Sequence, residues 1–580
     1  MKTAIQLLVV LSCLLCIITN RSHAQQSTSI SSGFVITAKD LQDPHAVENL
    51  ETLCRVWGYT KYHHPVFCDS LRSIDIDSAL FALLPQVVHS DRTARNQKLY
   101  KWVHSLGNYT PNRASYEQNL QPYELISSVD LSWTTDTTLL GHDLSYLLQN
   151  LRYAERGENR YALSARDIEG IGFQPIVFQG EKNQLNLNEW DSGIQLLSLF
   201  RLWNIIEYYG PNKSQTLHPW DEVLTTYIPL MGIETDMRSA QQIHMSLIRE
   251  LNDGHAISPL CDYYFGQRSL PVSVRYVDGR LFATHKSEDN MLQRGDEILA
   301  VDGVLISKRL EDVWKYASRS NDAGYRNAAR YYPLRSQLDT AEVVFNRNGY
   351  CDTLHMATIP YWEYSILSIS EQQQQSPLRM LNDSVGYIYG ATFSTSMIEK
   401  AQRILEKANT LIVDLRDFPF TTDFALYNLI ESQLTSMPVK AWRFSWPTIA
   451  LPGVFLFNDQ WLKSPGSEPA DENPHAWQGQ IIVLVDETTR SHTEFLAMAL
   501  QTRPQTITVG SQTAGTDGDM VLIPLPGGLG TSYSSVGVFY PDGTNAQGVG
   551  VHIDVEVYPT VESLRAGRDL ILEKALELAL

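Results

Sequence analysis

At 580 residues the chain is too long for one domain, and roughly 100–200 residues per domain predict about three to five units. A composition of 43% hydrophobic, 10% aromatic and 19% charged residues excludes wholesale disorder. The net charge of −19 argues against a nucleic-acid partner and against electrostatic docking on anionic membranes.

Lys2 precedes an apolar run from Ala4 to Ile18, and Ser22-His23-Ala24 follows as a small-x-small cleavage signal. Residues 1–24 therefore read as a secretory signal peptide, and an exported protein, periplasmic or extracellular, is expected. An uncleaved anchor and lipid attachment at Cys13 or Cys16 are the lesser readings. The apolar run is short for a span, and neither cysteine follows a convincing small-residue box. No later stretch approaches a membrane span, so none is expected in the mature chain. Cleavage would leave Cys54, Cys68, Cys261 and Cys351, which permit three pairings; sequence does not choose among them.

The front half repeats itself. Residues 53–65 read LCRVWGYTKYHHP and residues 199–211 read LFRLWNIIEYYGP. Arg55, Trp57, Tyr62 and Pro65 match Arg201, Trp203, Tyr208 and Pro211; farther on, Asp77 and Pro85 match Asp221 and Pro229. Apolar spacing of three and four residues predicts two helical modules. The first, with a mixed connecting region, spans 40–180, and the second spans 190–262. Only the second ends in a histidine, within Asn252-Asp253-Gly254-His255. His63-His64 with Cys68 lacks further ligands at metal spacing, so these histidines are expected at the surface.

Residues 292–303, LQRGDEILAVDG, alternate turn, strand and turn. This run resembles the core of a PDZ domain spanning 265–358 and closing with the strand Ala341–Phe345. The resemblance implies capture of extended peptide along a sheet edge, although the usual apolar carboxylate-binding loop is not obvious. Gln372–Gln375 read as a linker or exposed loop.

From residue 383 to 580, strands and helices alternate. Strands are predicted at 385–388, 410–415, 480–485 and 506–509, with helices at 397–409, 424–434 and 492–501. Near-continuous apolar strands predict a mostly parallel sheet covered by helices, with ligands at the strands' carboxyl ends. Ser491 stands there, after the strand 480–485 and before a helix, where local chemistry alone predicts an N-cap.

The segment DETTRSHTEFLAMALQ, followed by TVGSQTAGTDGD at 508–519, resembles the tail-specific, C-terminal-processing and tricorn-core serine proteases. The helical module ending in Asn-Asp-x-His, the PDZ-like middle and Asp414-Leu415-Arg416 follow in that family's order over roughly residues 190–580. The resemblance implies a multidomain α+β protein: duplicated helical modules, a PDZ-like β-rich domain and a C-terminal α/β domain of crotonase-like spiral type. It also implies a serine nucleophile three residues before a helix-opening glutamate, which maps to Ser491 and Glu494.

A serine hydroxyl needs a positioned base. One branch of the family places a lysine where this chain has Thr516, and no lysine occurs between Lys463 and Lys574. The tricorn-like branch implies His255 instead, with a near-neutral imidazole suited to proton shuttling. His492 is the rival, poorly placed because adjacent residues on a helix diverge. Gln547 occupies the place of a glutamate and is expected to orient His255, without the charge a carboxylate would supply. The oxyanion donors implied are the N–H groups of Phe420 and His492, in a segment lacking the family's glycines. The expectation is an exported serine endopeptidase acting on extended peptide or unfolded protein, without metal or other cofactor. The alternative is an inactive peptide- or apolar-ligand-binding protein of the same fold. Asp517-Gly518-Asp519 lacks a calcium loop's later ligands, and Gly527-Gly528-Leu529-Gly530 and Pro541-Asp542-Gly543 read as turns.

Overall fold

The structure, a computed structural model, describes residues 31–579 except Ser70, Pro438 and the segments 121–123, 165–175, 183–190, 286–290, 365–375, 418–423 and 463–471. The signal-peptide reading and the Gln372–Gln375 linker fall outside the described residues.

The two helical copies are built alike and packed on each other. The helix Pro44–His63 starts with proline behind an Asp43 cap, and the helix Ser192–Tyr209 starts behind an Asp191 cap that accepts the Ile194 N–H. Both are buried along most of their length. Trp57 Nε1–H donates to the Ile76 carbonyl at 2.9 Å, and Trp203 Nε1–H donates to the Trp220 carbonyl at 2.8 Å. Each bond ties a long helix to the first residue of the next, Ile76–Val87 and Trp220–Gly232, which carry Pro85 and Pro229. The equivalent ion pairs cross between copies: Arg55 pairs with Asp221 at 2.9 Å, and Arg201 with Asp77 at 2.9 Å. Gly58 permits the close approach, since a Cβ there would lie 1.9 Å from Asn204 Cγ.

His63 and His64 are buried, not at the surface as their sequence context suggested. The His63 ring stacks on Tyr59 at 4.0 Å, and its Nδ1 bonds the Tyr59 carbonyl at 2.9 Å, so stacking and a local carbonyl satisfy it inside the core. All four described cysteines are unpaired thiols.

Between the copies, Glu124–Ser128 pairs antiparallel with Val454–Trp461, which continues through Lys440–Pro447 to Gly537–Phe539. A front-half segment thus supplies an edge strand to a C-terminal sheet. In the middle region, Val274–Val277, Arg280–Ala283, Glu297–Val301, Thr340–Arg347 and Tyr350–Ala357 form an antiparallel sheet, against which the helix Ile306–Tyr316 packs. Asp302 and Gly303 both take positive φ, 51° and 72°, at the predicted turn.

The C-terminal sheet runs Leu378–Met380, Val385–Tyr389, Thr410–Asp414, Gln480–Val485, Thr506–Gly510 and Val555–Glu556. Its first pair is antiparallel and the remainder parallel. The apolar strands 410–414 and 480–485 are buried throughout, as strands covered on both faces must be. The helix predicted at 424–434 is an α-turn, Ala425–Leu429, that widens into the π-helix Ile430–Leu434; the one at 397–409 is shortened to Ile398–Leu405. Arg416 pairs with Asp414 at 2.6 Å and Asp569 at 2.8 Å, which pins the last helix, Leu570–Leu578, to the sheet. No helix among the described residues is long and apolar enough to cross a membrane.

Candidate active site

The strand Gln480–Val485 ends, a short turn follows, and Ser491 stands before the helix His492–Gln501. A simple N-cap has β-region torsions, whereas Ser491 has φ 51° and ψ −121°. Such a conformation costs a non-glycine residue about 1–3 kcal/mol and persists only when its surroundings over-determine it. Here they do. The Ser491 N–H points to the Thr516 carbonyl at 2.7 Å and to Glu494 Oε2 at 3.1 Å. Glu494 also accepts from Thr513 Oγ1 at 2.6 Å, the Gly515 N–H at 2.8 Å and the Thr516 N–H at 2.9 Å. Burial pushes this carboxyl up to about 7 against the opposing pull of those four donors.

His255 follows the helix Met237–Arg249 on a segment that turns at Asn252, where φ is 48°. Its ring Nδ1 lies 2.9 Å from Ser534 Oγ. Ser534 Oγ–H in turn donates to Asp253 Oδ1 at 2.9 Å, and the Ser534 N–H donates to Asp253 Oδ2 at 2.6 Å. Asp253 Oδ1 further accepts the His255 N–H at 2.9 Å. Desolvation lowers the His255 pKa; Asp253 opposes this, and Arg490 adds to it. The imidazole is therefore neutral near pH 7. Arg490 directly precedes Ser491, so the histidine shares the electrostatic surroundings of the serine turn.

The two segments meet at Thr516. Its carbonyl receives the Ser491 N–H, and its hydroxyl lies 3.0 Å from Ser320 Oγ, which accepts the Gly254 N–H at 2.9 Å. A Cβ on Gly254 would lie 2.1 Å from Thr516 Oγ1. A glycine before the histidine and a short side chain in place of lysine together let the His255 segment reach the serine loop.

Gln547 is placed differently from the sequence expectation. Its Nε2–H donates to Asp253 Oδ1 at 3.2 Å and Ser320 Oγ at 3.4 Å, and its Oε1 accepts the Asp517 N–H at 2.7 Å. It reaches Asp253 rather than the His255 ring, because the ring nitrogen is already engaged by Ser534. The His492 N–H lies at the first helical position, where no intrahelical acceptor exists. The His492 ring packs near Phe424 at 5.6 Å and Phe495 at 6.3 Å, and burial lowers its pKa to about 4. Phe420 lies outside the described residues; Asp417 and Phe424 flank that segment with φ of 71° and 48°. Among the described residues, no group of three or more His, Cys, Asp or Glu side chains could hold a metal.

Sequence reasoning missed Asp253 and Ser534. Asp253 was visible two residues before His255, but its acceptor role depends on a strand 281 residues away in the chain. Ser534, in Thr-Ser-Tyr-Ser-Ser, carried no distinguishing signal.

Residues 384–557 match the model of peptidase family S41. That match covers the C-terminal α/β unit and makes it similar to a family of serine-type peptidases. No curated protein matches the chain. Among solved structures, mature CPAF complexed with lactacystin is similar at 16% identity with a TM-score of 0.50, covering 67% of this chain and 98% of that one. A putative peptidase from Parabacteroides merdae aligns at 16% identity with a TM-score of 0.40, covering 67% and 96%. A photosystem II D1 C-terminal processing protease aligns at 18% with a TM-score of 0.37, covering 65% and 97%. At 16% identity the first likeness concerns the fold alone. The match to the family model begins one residue before the first parallel strand and ends beside the last.

Proposed function

We propose that this chain is an exported serine endopeptidase that hydrolyses extended peptide or unfolded protein through an acyl-enzyme. Ser491 Oγ attacks the scissile carbonyl, and His255 accepts its proton and returns it to the leaving amine. Ser534 and Asp253 hold the imidazole, the role first assigned to Gln547, which instead steadies Asp253. The N–H groups of His492 and Phe420 receive the oxyanion. The antiparallel sheet of residues 274–357, read as PDZ-like, presents the substrate as an added strand. The observation that carries this reading is the meeting of the Ser491 turn and the Asn252–His255 segment on Thr516, with Ser491 at positive φ.

A fluorophosphonate active-site probe tests it. Labelling of wild type, lost in both Ser491→Ala and His255→Ala, is the expected result. No labelling of folded wild type would remove the enzymatic reading. Loss with Ser491→Ala alone would retire His255 as the base. Ser534→Ala is expected to slow labelling about tenfold, because the imidazole loses its oriented partner but keeps its charge state.

A further inference from the structure

Beyond the peptidase site, the helix Met237–Arg249, the residues that follow it and the end of the helix Ile306–Tyr316 enclose an open cavity of about 790 Å³. Two arginines line it, Arg249 and Arg319, which are 5% and 4% exposed. Neither is ion-paired among the described residues. Arg249 Nη1–H donates to Asn252 Oδ1 at 3.1 Å, and its buried Nε has no partner. Arg319 Nη1–H donates to the Trp314 carbonyl at 2.8 Å, and its guanidinium lies 3.8 Å from the centroid of the Trp314 ring. A guanidinium offers five N–H donors, so most of those on both residues are unspent.

The nearby carboxylates do not absorb them. Glu250 is engaged by His218 at 2.8 Å and by Tyr227 at 3.2 Å, while Asp322 is exposed. Lys315, also on the lining, is already paired with Glu311 at 2.7 Å. Burial and the charge of Arg319 push Arg249 down to about 9 against the pull of Glu250, and burial pushes Arg319 down to about 10 against the pull of Asp322. The helical half treats its buried cations differently: Lys61 and Arg201 are both paired with Glu181, and Arg201 also with Asp77. Two nearly buried guanidiniums with no carboxylate at ion-pair distance are costly unless further negative charge arrives from outside. Beside them, Trp314 and Leu217 stand 49% and 43% exposed on the same cavity.

We propose that this cavity binds a carboxylate-bearing ligand with an aromatic or apolar body, Arg249 and Arg319 taking the carboxylate and Trp314 and Leu217 the body. A planar guanidinium matches a carboxylate in bidentate fashion, and the apolar lining disfavours a bare, fully hydrated anion. Asn252 and Ser320 line the cavity and also belong to the scaffold of the His255 segment, but binding itself does not depend on the peptidase reading.

Calorimetric titration of the full-length Ser491→Ala protein tests the proposal without turnover. The probes are N-acetylphenylalanine, N-acetylphenylalaninamide and inorganic phosphate. The acid is expected to bind at one site at least tenfold more tightly than the amide or phosphate. Arg319→Gln and Trp314→Ala are each expected to weaken it at least tenfold. Trp314 is half-exposed, so its replacement keeps the test available should Arg319→Gln fail to fold. Equal binding of acid and amide, phosphate binding as tight as the acid, no binding of the acid at millimolar concentration, or unchanged affinity in Trp314→Ala would each overturn the assignment. Probe labelling at Ser491 in the wild type is a separate measurement, so failure of one reading leaves the other visible.

Discussion

The two helical copies share a scaffold and differ in what their ends can do. In both, a buried tryptophan donates to the first residue of the next helix, and an arginine crosses to the other copy's aspartate. At the end of the first copy, Gly107 turns at φ 118° and Tyr109 follows, its hydroxyl bonded to the Leu147 carbonyl at 2.8 Å. The segment therefore closes back on the helix Thr137–Leu151 of its own half. At the end of the second, Asn252 turns, Asp253 gathers Ser534, and Gly254 leaves space for Thr516. In the proposed reading the chemistry sits on the loop leaving the duplicated frame. Loops held on rigid elements are where function ordinarily resides.

Breaking that contrast should have its largest effect at the end of the second copy. His255→Ala is expected to cut the rate of probe labelling about a thousandfold, the scale seen when a catalytic base is lost. Tyr109→Phe at the end of the first copy should leave labelling unchanged and lower stability by about 1 kcal/mol, the worth of one hydrogen bond. Labelling kinetics and urea denaturation of the two variants check this pair.

The crossed ion pairs sharpen the comparison next. Arg201 and Asp77 are buried, whereas Asp221, the partner of Arg55, is 65% exposed at its side chain. Arg201→Met removes the guanidinium that Asp77 and Glu181 share, leaving Lys61 to offset both carboxylates, and should cost about 3–5 kcal/mol in urea denaturation. Arg55→Met should cost about 1 kcal/mol or less, because water screens its pair. Equal losses would show that the crossing pairs carry equal weight despite their burial.

A smaller effect is expected at the contact between the second copy and the serine loop. Gly254→Ala drives a methyl into Thr516 and should cost about 1–3 kcal/mol of overpacking, read as displaced His255 and slower labelling. Gly254→Ala combined with Thr516→Gly should recover part of that loss, since the two positions are in contact. Additive losses would disprove the steric account.

The smallest effect is a displacement on the pH axis. Desolvation lowers the folded His255 pKa from its ordinary 6.5, so the ring stays neutral, as the proposed base must be, to a pH below 6.5. The acid limb of labelling should therefore lie below pH 6.5, and Ser534→Ala should leave it in place. A limb at or above 6.5 would contradict the desolvation of the ring.

Much of the frame was legible in the chain. The repeat around Arg-x-Trp, the Asp302-Gly303 turn, the buried strands 410–414 and 480–485, and Ser491 at a strand-to-helix junction all rest on local periodicity or turn chemistry. His63 and His64 went astray because burial depends on which neighbour covers a residue, and that neighbour includes Tyr208, 145 positions away from His63 in the chain. Asp253 and Ser534 escaped because an oriented acceptor is a property of two distant segments. Gln547 was found, but its partner was misassigned, since alignment places a residue without directing its side chain.

What the sequence determined by itself was therefore the set of elements and the place of Ser491 among them, because side-chain period, helix caps and turn residues act over a few positions. Tertiary structure alone decided which partners meet: the crossing of Arg55 and Arg201 between copies, the strand Glu124–Ser128 on a C-terminal sheet, the contact of Gly254 with Thr516, and the cavity holding Arg249 and Arg319. Each depends on charges, volumes and hydrogen-bond directions brought together from remote parts of the chain, and their energies exist only once the chain has closed.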